Sequence, residues 1–527
     1  MKLLTAEQMT NIDRLTIERG TPGIDLMRNA GEAVFHLVKE RATSTPHDRI
    51  VVLAGKGNNG GDGHRAAELL SVNGCQVELF LVGNREDVTG DALTCMLDAE
   101  TAGLTVVEIR DSDGLSRAVQ SINAADVIVD ALFGTGLKGD LRGLAAEVVA
   151  AVNATSAVIV AVDVPSGVDA STGSVSRDTV KAQWTITFGC LKVGHLLGPG
   201  KQFCGTVDVE DIGFDAEIFA SSSSFGNTLS AKEASALVPI RAYDAHKGDA
   251  GKVFILTGSV GLTGASTLSS RAALRSGAGL VTAGCPESLN DIIEAKLTEV
   301  MTLPLPEVRK KRCLSLRAMG MLRLAAAKAD VVAIGPGLGR FHETSDLVRR
   351  FLADYDGRVV LDADGIHAFK GQADLLRKAT CEIVLTPHVG ELALLMDVSR
   401  QEIMADPVSA VRQAAEATGK TVLLKGAPSL IAMADGTLWV NPTGNEGMAT
   451  AGMGDVLTGI ITGFAAQGLD LHNAAVLGAY IHGMSGDLAK EIQGIHGMIA
   501  GDVLELLPEA VLDTLNPKPI LHWKVQS

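Results

Sequence analysis

The fold is decided by a stretch near the beginning of the chain, IVVLAGKGNNGGDG, residues 50–63. Its first five residues, Ile50–Ala54, are all apolar and predict a buried strand. The glycines that follow predict a tight loop, and the next segment predicts a helix over residues 64–73. A strand that enters a glycine-rich loop and then a helix is typical of α/β proteins.

This glycine-rich loop has the spacing of a phosphate-binding turn. Gly55, Gly57 and Gly60 satisfy GxGxxG between a strand and a helix, where backbone N–H groups can reach a pyrophosphate. The loop departs from the dinucleotide fingerprint, because the next strand ends without an acid placed for a ribose, and no GK[ST] follows as in a Walker loop. The alternative is a plain strand–helix turn, which the two asparagines and the aspartate of the loop disfavour.

The same alternation of apolar runs, glycine-rich loops and helical segments continues along the chain. The other apolar runs are Gln76–Val82, Val127–Asp130, Ala157–Val162, Thr185–Phe188, Lys252–Thr257, Val331–Ile334, Val359–Asp362, Ile383–Thr386 and Thr421–Lys425. Continuous apolar strands that alternate with helices indicate parallel sheets covered on both faces. The sequence therefore predicts an α/β protein with open, doubly wound sheets.

One segment has the composition of a linker. Residues 214–235 contain four consecutive serines and no strand signal. A chain of 527 residues is too long for one ordinary domain. We therefore expect two different α/β domains, over residues 1–215 and 229–510.

The composition excludes several classes of protein. Lys plus Arg number 46 and Asp plus Glu 62, a net charge of −16, so we expect no nucleic acid and no membrane among the partners. Aromatic residues make up 4% of the chain, too few for a base-stacking surface. The most apolar stretch, residues 144–162, is interrupted by Glu147 and Asn153, unlike a membrane span. Seven scattered cysteines without a CxxC, and no secretory signal, predict a cytoplasmic protein.

Polar residues stand where three strands of the first domain end. They are Asn59, Asp130, Asp163 and Ser166. Because ligands of open α/β sheets collect at the carboxyl ends of strands, these residues predict one oxygen-rich pocket. Oxygen donors with one or two carboxylates suit a hard cation, including a monovalent one, and a carboxylate beside the ligand can act as acid or base. The alternative is that they are helix caps and turn residues.

Five motifs stand in order over residues 1–215: TAEQM, NNGGDG, VDALFGTGLKG, DVPSGVD and TFGCLKVGHLLGPG. Together they resemble the NAD(P)H-hydrate epimerase family, which implies a Rossmann-like sheet and a hydrated nicotinamide nucleotide as substrate. The residues that the resemblance places against this substrate are Asn58, Asn59, Gly60, Gly61, Asp62, Gly134, Thr135, Gly136, Leu137, Lys138, Gly139, Asp140 and Asp163. It also implies a potassium ion (K⁺) held by Asn59, Asp130 and Ser166.

Asp163 is the candidate acid–base group of this first site. It ends a buried strand, so desolvation is expected to raise its pKa toward neutrality. Lys192 is the second candidate, and its charge would instead lower the pKa of Asp163 if the two side chains were close.

The second domain has a glycine-rich turn of its own, TGNEGMATAGMGDVLTG over residues 443–459. Glycines ahead of a helix can form an anion-binding turn from backbone N–H groups. Asp455 would lie in the first turn of that helix, where a carboxylate can take a proton from a substrate hydroxyl as phosphoryl transfer begins. Lys425 adds a cation at another strand end, and His388 with Glu391 stands at a third. The alternatives are a packing motif at a helix start and a structural His–Glu pair.

Seven motifs stand in order over residues 229–510: HKGDAGKVFILTGSVGLTGA, SGAGLVT, GPGLG, LDADG, LTPHVGEL, LLKGAPSLI and GNEGMATAGMGDVLTGI. They resemble the ribokinase-like superfamily and its ADP/ATP-dependent NAD(P)H-hydrate dehydratase branch. The resemblance implies that the hydrate faces Ala265, Gly339, His388 and Asp455. It implies that the adenine nucleotide is held by Lys425, Gly426, Ala427, Pro428, Ser429 and Gly454.

Two details of this second domain bear on its chemistry. Asp362 and Asp364 in LDADG are candidates to reach a magnesium ion (Mg²⁺) through water. Glu446 departs from the family, which usually has proline there, so the stiffness of the loop is expected to differ.

Together the two resemblances imply a bifunctional NAD(P)H-hydrate repair enzyme. In that family the dehydratase phosphorylates the C6 hydroxyl of the S epimer at the expense of ADP or ATP and eliminates phosphate, and the epimerase interconverts the R and S epimers. The residues leave two other functions open. One is a ribokinase-like small-molecule kinase, although such an enzyme would have no use for the domain that contains NNGGDG. The other is a dinucleotide-binding sensor or scaffold. We expect ADP as co-substrate, NADH and NADPH hydrates as substrates, and a homo-oligomer.

Overall fold

The computed structural model describes residues 1–45, 47–137 and 139–516. The chain divides into two compact units, one formed by Lys2–Gly226 and the other beginning at Asn227. We call them the N-terminal unit and the C-terminal unit and describe each by itself.

The N-terminal unit is built on a fully parallel sheet. The strands of this unit are β1 (Lys2–Leu4), β2 (Arg49–Ala54), β3 (Gln76–Val82), β4 (Val106–Ile109), β5 (Val127–Ala131), β6 (Val158–Val162), β7 (Trp184–Phe188), β8 (Leu191–Lys192) and β9 (Thr206–Glu210). The sheet has the order β4-β3-β2-β5-β6-β7-β9, and β1 pairs with β8. The order runs outward in both directions from β2 and β5, so the predicted doubly wound sheet is confirmed.

Helices cover both faces of this sheet. They are α1 (Ala6–Glu18), α2 (Gly23–Leu37), α3 (Asn58–Val72), α4 (Gly90–Thr101), α5 (Ser112–Ala124), α6 (Leu144–Asn153) and α7 (Ala216–Ser221). One apolar core contains residues of α2, α3 and the strands, and another contains residues of α5, α6 and the opposite strand face. Burial on both faces explains why strands such as Ile50–Ala54 are continuously apolar.

Helix α3 begins earlier than the sequence suggested. The prediction placed residues 55–63 in a loop, whereas the helix starts at Asn58 and includes Gly60 and Gly61. A side chain at Gly60 would collide with the backbone carbonyl of Gly55. These glycines therefore permit close packing of the first helical turn against the strand end, and they do not form an extended loop.

The C-terminal unit contains a larger, mostly parallel sheet. The remaining strands of the chain are β10 (Gly226–Asn227), β11 (Lys252–Leu256), β12 (Leu280–Pro286), β13 (Met301–Leu305), β14 (Glu307–Val308), β15 (Cys313–Leu314), β16 (Val331–Ile334), β17 (Arg358–Leu361), β18 (Glu382–Leu385), β19 (Thr421–Leu424), β20 (Leu430–Ala432) and β21 (Leu438–Val440). The order is β13-β12-β11-β16-β17-β18-β19-β20-β21, with antiparallel pairing only at β19-β20 and β20-β21. Strands β14 and β15 form a separate hairpin.

The helices of this unit include one that is almost completely buried. They are α8 (Ala231–Leu237), α9 (Thr263–Arg275), α10 (Asn290–Glu294), α11 (Met319–Ala326), α12 (His342–Asp354), α13 (Ala363–His367), α14 (Ala373–Lys378), α15 (Val389–Met396), α16 (Arg400–Ala405), α17 (Pro407–Thr418), α18 (Met453–Ala466), α19 (Leu471–Gly497) and α20 (Ala500–Leu515). Nearly every residue of α18 is buried in the apolar core. This helix therefore fixes the position of Asp455 at its first turn.

The segment expected to be a linker is not without structure. Helix α7 lies within residues 214–235, capped by Asp215, whose carboxylate accepts the backbone N–H groups of Glu217 and Ile218. Helix α8 begins in the same segment with a capping box between Ser230 and Glu233. The four serines indicated a linker by composition, although Asp215 and Ser230 in the same segment are residues that favour helix starts.

Within the described ranges, none of the helices combines the length with the apolar run that crossing a membrane would take.

Candidate active sites

A cavity of about 200 Å³ opens in the N-terminal unit at the carboxyl ends of its strands. Four of the predicted substrate-contacting residues line it: Asn58, Asp62, Thr135 and Asp163. Most of the remaining wall is apolar and comes from α1, α2 and the segments after β7 and β9, namely Met9, Ile17, Leu26, Met27, Ala30, Phe188, Ile212 and Phe214. Such a wall, with a few convergent polar groups, suits a flat organic ring.

Asp163 and Lys192 form a buried ion pair in this cavity. The Lys192 ammonium donates to Asp163 Oδ1 at 2.7 Å, to Thr187 Oγ1 at 2.8 Å and to the Phe188 carbonyl at 2.9 Å, which uses all three of its protons. Thr187 Oγ1 also donates to Asp163 Oδ1 at 2.9 Å. Burial opposes the charge on Asp163, but these positive and donor groups hold its pKa below the ordinary value. The expectation that burial raises the pKa of Asp163 is therefore wrong, because the Lys192 ammonium donates a hydrogen bond directly to its carboxylate.

His195 fixes the backbone on both sides of this pair. Its Nδ1 accepts the backbone N–H of Lys192 at 3.0 Å, so its Nε2 carries the hydrogen and donates to the Asp163 carbonyl at 2.9 Å. Burial lowers the pKa of His195 to about 4, which keeps the ring neutral. Asp163 itself has φ of +64°, a left-handed conformation that side-chain-bearing residues rarely adopt. The strand end is thus held in one unusual conformation.

Asp62 differs from Asp163 although both line the same cavity. Its side chain is buried, and no hydrogen bond to its carboxylate is found among the described residues. Burial, and then the negative charges of Asp163 and Asp13, raise its pKa well above the ordinary value, with only Lys192 opposing. The protonated form of Asp62 is therefore favoured more than that of an exposed aspartate.

The three predicted potassium ligands lie around the end of β5. Asp130 is fully buried and accepts Ser166 Oγ at 2.7 Å, the Ser166 N–H at 2.8 Å and the Leu132 N–H at 3.3 Å. Burial raises its pKa to about 6 against these hydrogen bonds. Asn59 Oδ1 lies 2.9 Å from where a Cβ on Gly134 would stand, and its Nδ2 is buried without a partner among the described residues.

This donor set fits a weakly hydrated monovalent cation. It offers amide, hydroxyl and carboxylate oxygens with one formal charge, and a cation beside Asp130 would compensate a charge that burial disfavours. Potassium is therefore chemically compatible with Asn59, Asp130 and Ser166.

The other predicted contacts of the first site differ in how the structure places them. Gly60 and Gly61 are buried inside α3, where they pack against the strand end and α2. Gly134 is close to both Asn59 Oδ1 and Asp163 Oδ2. Four more predicted contacts, Gly136, Leu137, Gly139 and Asp140, lie in the segment between β5 and α6. Lys138 lies outside the described residues.

The second site is centred on Asp362, at the end of β17. Its Oδ1 accepts the Lys425 ammonium at 2.8 Å and Thr386 Oγ1 at 2.8 Å, and its Oδ2 accepts Thr458 Oγ1 at 2.9 Å. Lys425 Nζ is also 3.8 Å from Glu391 Oε2. The strand ends of β17, β18 and β19 and the helix α18 therefore meet at the buried Asp362 carboxylate.

Asp455 lies beside this lysine, in the first turn of α18. Burial, then the charge of Asp362, raise its pKa to about 7, and Lys425 only partly opposes the shift. A Cβ added to Gly454 would stand 3.0 Å from Lys425 Nζ, so only glycine leaves room for the ammonium. Asp455 is thus a carboxylate that can exchange a proton near neutral pH.

The other predicted residues of the second site lie at the same edge of the sheet. His388 caps α15 by accepting the N–H of Gly390 at 2.9 Å, and it is bridged to Lys425 in parallel register. Ala265 is in α9, and a Cβ on Gly337 would stand 3.0 Å from it. Gly339 donates its N–H to Asp364 Oδ2 at 2.9 Å. The turn formed by Gly426, Ala427, Pro428 and Ser429 directly follows Lys425.

Asp362 and Asp364 are poor direct ligands for magnesium. All the Asp362 contacts described above come from protein donors, and Asp364 is held by Gly339 and by Arg340 Nε at 2.9 Å. Among the described residues, no group of three His, Cys, Asp or Glu has the arrangement of a metal site. These observations concern direct coordination, and the water-mediated contact of Asp362 and Asp364 with Mg²⁺ stays a prediction.

The sequence analysis did not identify several side chains that contact the acids of the two sites. Thr187 and His195 lie within the motif TFGCLKVGHLLGPG, which indicated only a resemblance. Thr386 and Thr458 also lie within quoted motifs, but a buried hydroxyl at a strand end or in a helix cannot be distinguished by sequence from an ordinary core residue. Asp13, on α1, reaches the first cavity from a helix whose role the sequence did not show.

Two family models match the chain. One, described as NAD(P)H-hydrate dehydratase, matches residues 253–509, and the other, described as YjeF-related protein N-terminus, matches residues 23–194.

Several relatives are similar to the chain over nearly their whole length. The chain is 42% identical over 510 residues to a bifunctional NAD(P)H-hydrate repair enzyme of Moorella thermoacetica, which covers 96% of each chain. It is 33% identical over 488 residues to the enzyme of that name from Escherichia coli, covering 92% of this chain and 89% of the relative. A solved ADP/ATP-dependent NAD(P)H-hydrate dehydratase from Bacillus subtilis, co-crystallised with ATP and Mg²⁺, is 27% identical, covers 55% of this chain and 100% of its own, and has a TM-score of 0.48.

Proposed function

The chain belongs to the family of bifunctional NAD(P)H-hydrate repair enzymes, and from that premise we propose how its two units divide the repair. The N-terminal unit interconverts the R and S epimers of a hydrated nicotinamide nucleotide. The C-terminal unit dehydrates the S epimer to NAD(P)H at the expense of ADP or ATP. Each unit contributes a buried carboxylate at the carboxyl end of its own sheet, and each carboxylate has a lysine nearby.

In the N-terminal unit, two carboxyl groups in opposite protonation states support epimerisation. Asp62, whose pKa is raised, is the acid of this scheme: it donates its proton to the C6 hydroxyl, and the C–O bond breaks as the ring nitrogen shares its lone pair with C6 and water leaves. Water then returns to C6 from the opposite face and gives a proton to the ionised Asp163. Solvent carries that proton back before the next turnover.

Lys192 serves as a positioning residue in this scheme. Its three protons are committed to Asp163, Thr187 and Phe188, so it is a poor proton donor to a substrate. This favours Asp163 over Lys192 as the acid–base group. Potassium held by Asn59, Asp130 and Ser166 would neutralise Asp130 and keep the strand end beside the cavity in one arrangement.

In the C-terminal unit, Asp455 acts as the base. It takes the proton of the C6 hydroxyl as that oxygen attacks the terminal phosphorus of the nucleotide, and the bond from that phosphorus to the departing nucleotide (AMP from ADP, or ADP from ATP) breaks. The phosphate then leaves C6 with the C–O bonding electrons while C5 loses a proton to solvent, and the C5–H electrons form the C5–C6 double bond of NAD(P)H. Lys425 and the turn that ends at Ser429 hold the nucleotide, and Ala265, Gly339 and His388 face the hydrate.

The observation that carries this assignment is the position and pKa of Asp455. A carboxylate with a pKa of about 7, at a helix start and beside an ammonium group, is matched to proton removal at neutral pH. A binding protein would gain nothing from a buried carboxylate held near its protonation point.

The test uses a mixture of the R and S hydrates of NADH. With ADP or ATP and K⁺ present, we expect complete recovery of NADH absorbance. A variant without epimerase activity should stop after the S fraction, apart from slow spontaneous exchange. No recovery with either nucleotide would contradict the dehydratase assignment, and recovery limited to the S fraction in the wild type would contradict the epimerase assignment.

A further inference from the structure

The loop that leads into α18 is held by one acidic side chain of α19. Asp487 Oδ2 accepts the backbone N–H of Gly444 at 2.9 Å, and Asp487 Oδ1 accepts Asn445 Nδ2 at 2.8 Å. Asn445 Oδ1 in turn accepts the N–H of Gly447 at 3.0 Å. Three consecutive contacts therefore tie the start of the loop to the helix.

The surface of α19 is shaped to receive this loop. A side chain at Gly483 would collide with Thr443, and one at Gly486 would collide with Met448. Thr443 Oγ1 also donates to the Tyr480 carbonyl at 2.8 Å. The loop lies directly against the helix, so the Asp487 contacts belong to a close-packed interface and are not a loose surface pair.

We propose that Asp487 is the positioning residue for the anion-binding turn and for Asp455, which follows Asn445 by ten residues. The turn must present its N–H groups and the Asp455 carboxylate in one fixed arrangement, because phosphoryl transfer depends on position. Asp487 touches neither substrate in this scheme. It determines where the turn begins, and the buried helix α18 determines where it ends. This inference rests on the dehydratase function proposed above.

The departure at Glu446 makes this restraint more important in this chain. Where proline would stiffen the loop, Glu446 begins a short 3₁₀ turn with Asn445 as its cap. Its own ion pair, to Lys490 at 3.1 Å, is largely exposed and contributes little. Asp487 and Asn445 therefore supply the side-chain hydrogen bonds that restrain the start of the loop, beside its packing against α19.

The first test is Asp487→Asn. An asparagine at 487 offers one acceptor oxygen, so if it still accepts the Gly444 N–H, its amide group faces the amide group of Asn445. One of the three contacts is lost in every rotamer. We expect kcat/KM for dehydration to fall about 100-fold, chiefly in kcat, with epimerisation unchanged. Lys490→Gln, on the same helix, is the control and should keep the wild-type rate.

The reciprocal double variant Asp487→Asn/Asn445→Asp is the decisive test. It reverses the side-chain bond between 445 and 487 but preserves all three contacts and the net charge. We expect it to recover most of the lost activity, which a general loss of stability would not predict. A wild-type rate in Asp487→Asn, or a double variant as impaired as the single one, would overturn the proposal.

Hydrogen exchange gives a readout that does not depend on activity. The N–H groups of Gly444 and Gly447 should lose protection in Asp487→Asn and regain it in the double variant. Unchanged protection would also overturn the proposal. If the wild type showed the expected protection but no dehydratase activity, the proposed function would fail while the role of Asp487 in ordering the loop would stand.

Discussion

The two sites contain similar groups in opposite electrostatic states. In the N-terminal unit, Lys192 donates directly to Asp163 at 2.7 Å, and the pKa of Asp163 lies below its ordinary value. In the C-terminal unit, Lys425 donates at 2.8 Å to Asp362, a neighbour of the proposed base, and the pKa of Asp455 is raised to about 7. What differs is which carboxylate the lysine contacts.

This difference shows that spatial proximity of a lysine to an aspartate does not by itself predict the pKa of that aspartate. A lysine near an aspartate does not by itself set the protonation of that aspartate, because the ammonium group has few protons and other acceptors compete for them. Lys425 forms its ion pair with Asp362, and the negative charge of Asp362 raises the pKa of the neighbouring Asp455. The same two residue types therefore give an ionised carboxylate in one unit and one that titrates near neutrality in the other.

The largest effect is expected from Asp455→Asn. The substitution keeps the shape of the side chain and removes the base, so dehydration should fall by about 10²- to 10⁴-fold. Epimerisation should not change, because Asp455 and Asp163 belong to different units. Both rates are measured on one preparation, by NADH absorbance and by chromatographic separation of the epimers. An equal loss of both activities in a folded variant would contradict the two-site assignment.

Asp163→Asn should have a comparable but somewhat smaller effect on epimer exchange. The variant should bind hydrate and fail to interconvert the epimers faster than the spontaneous rate. It leaves the Lys192 ammonium without its charged partner, which costs stability. Asp163→Asn/Lys192→Met is therefore the matched variant, since it removes both charges. A near-UV circular dichroism spectrum like that of the wild type reports that each variant is folded, and fast epimer exchange in either one would exclude Asp163 as the acid–base group.

Potassium dependence separates the two sites in a third way. Epimerisation should depend on K⁺, and Asp130→Ala should remove the dependence with most of the turnover. Because the pKa of Asp130 is raised to about 6, protonation should weaken cation binding as the pH falls through that value. The measurement is the epimerisation rate against K⁺ concentration at pH 5.5 and at pH 8, which lie on either side of the pKa of Asp130. Equal rates in potassium-free buffer would contradict the ligand assignment.

The two activities should depend on pH through different groups. Dehydration needs Asp455 ionised, so its kcat/KM should rise about tenfold between pH 6 and pH 8. In the proposed scheme epimerisation needs Asp62 protonated, so this activity should fall where the pH rises through the raised pKa of Asp62. Asp163, with a lowered pKa, is ionised between pH 6 and pH 8. A dehydration rate that does not rise between pH 6 and pH 8 would contradict the protonation state assigned to Asp455.

The strands and strand-end residues could be predicted from the sequence because they follow from local patterns. Continuous apolar runs required burial on both faces, and most predicted strands agree with the structure to within one residue, as in Gln76–Val82 and Val331–Ile334. The start of α3 could not be predicted, because the glycines of residues 55–63 favour a loop by propensity. Tertiary packing of Gly60 against the Gly55 carbonyl decides for the helix instead.

The protonation of the sites was less accessible than their location. Asp163 and Asp455 are both strand-end or helix-start acids, and burial alone would raise the pKa of each. Only the three-dimensional partners of Lys192 and Lys425 distinguish them. Those partners include Thr187, whose position in sequence carries no sign of this role.

The smallest effect is expected from Glu446→Pro, which introduces the residue that the family resemblance implies at this position. Glu446 is the first residue of a 3₁₀ turn, and its predecessor has φ of −140° and ψ of 174°, a conformation that suits the residue before proline. The variant loses the exposed pair with Lys490 and gains rigidity, so the free energy of unfolding should change by less than about 1 kcal/mol. Thermal unfolding and dehydration kinetics check this. If the loop already has its rigidity from Asp487, the variant keeps the wild-type kcat/KM, whereas a large loss would show that the Glu446 carboxylate has a role in the turn.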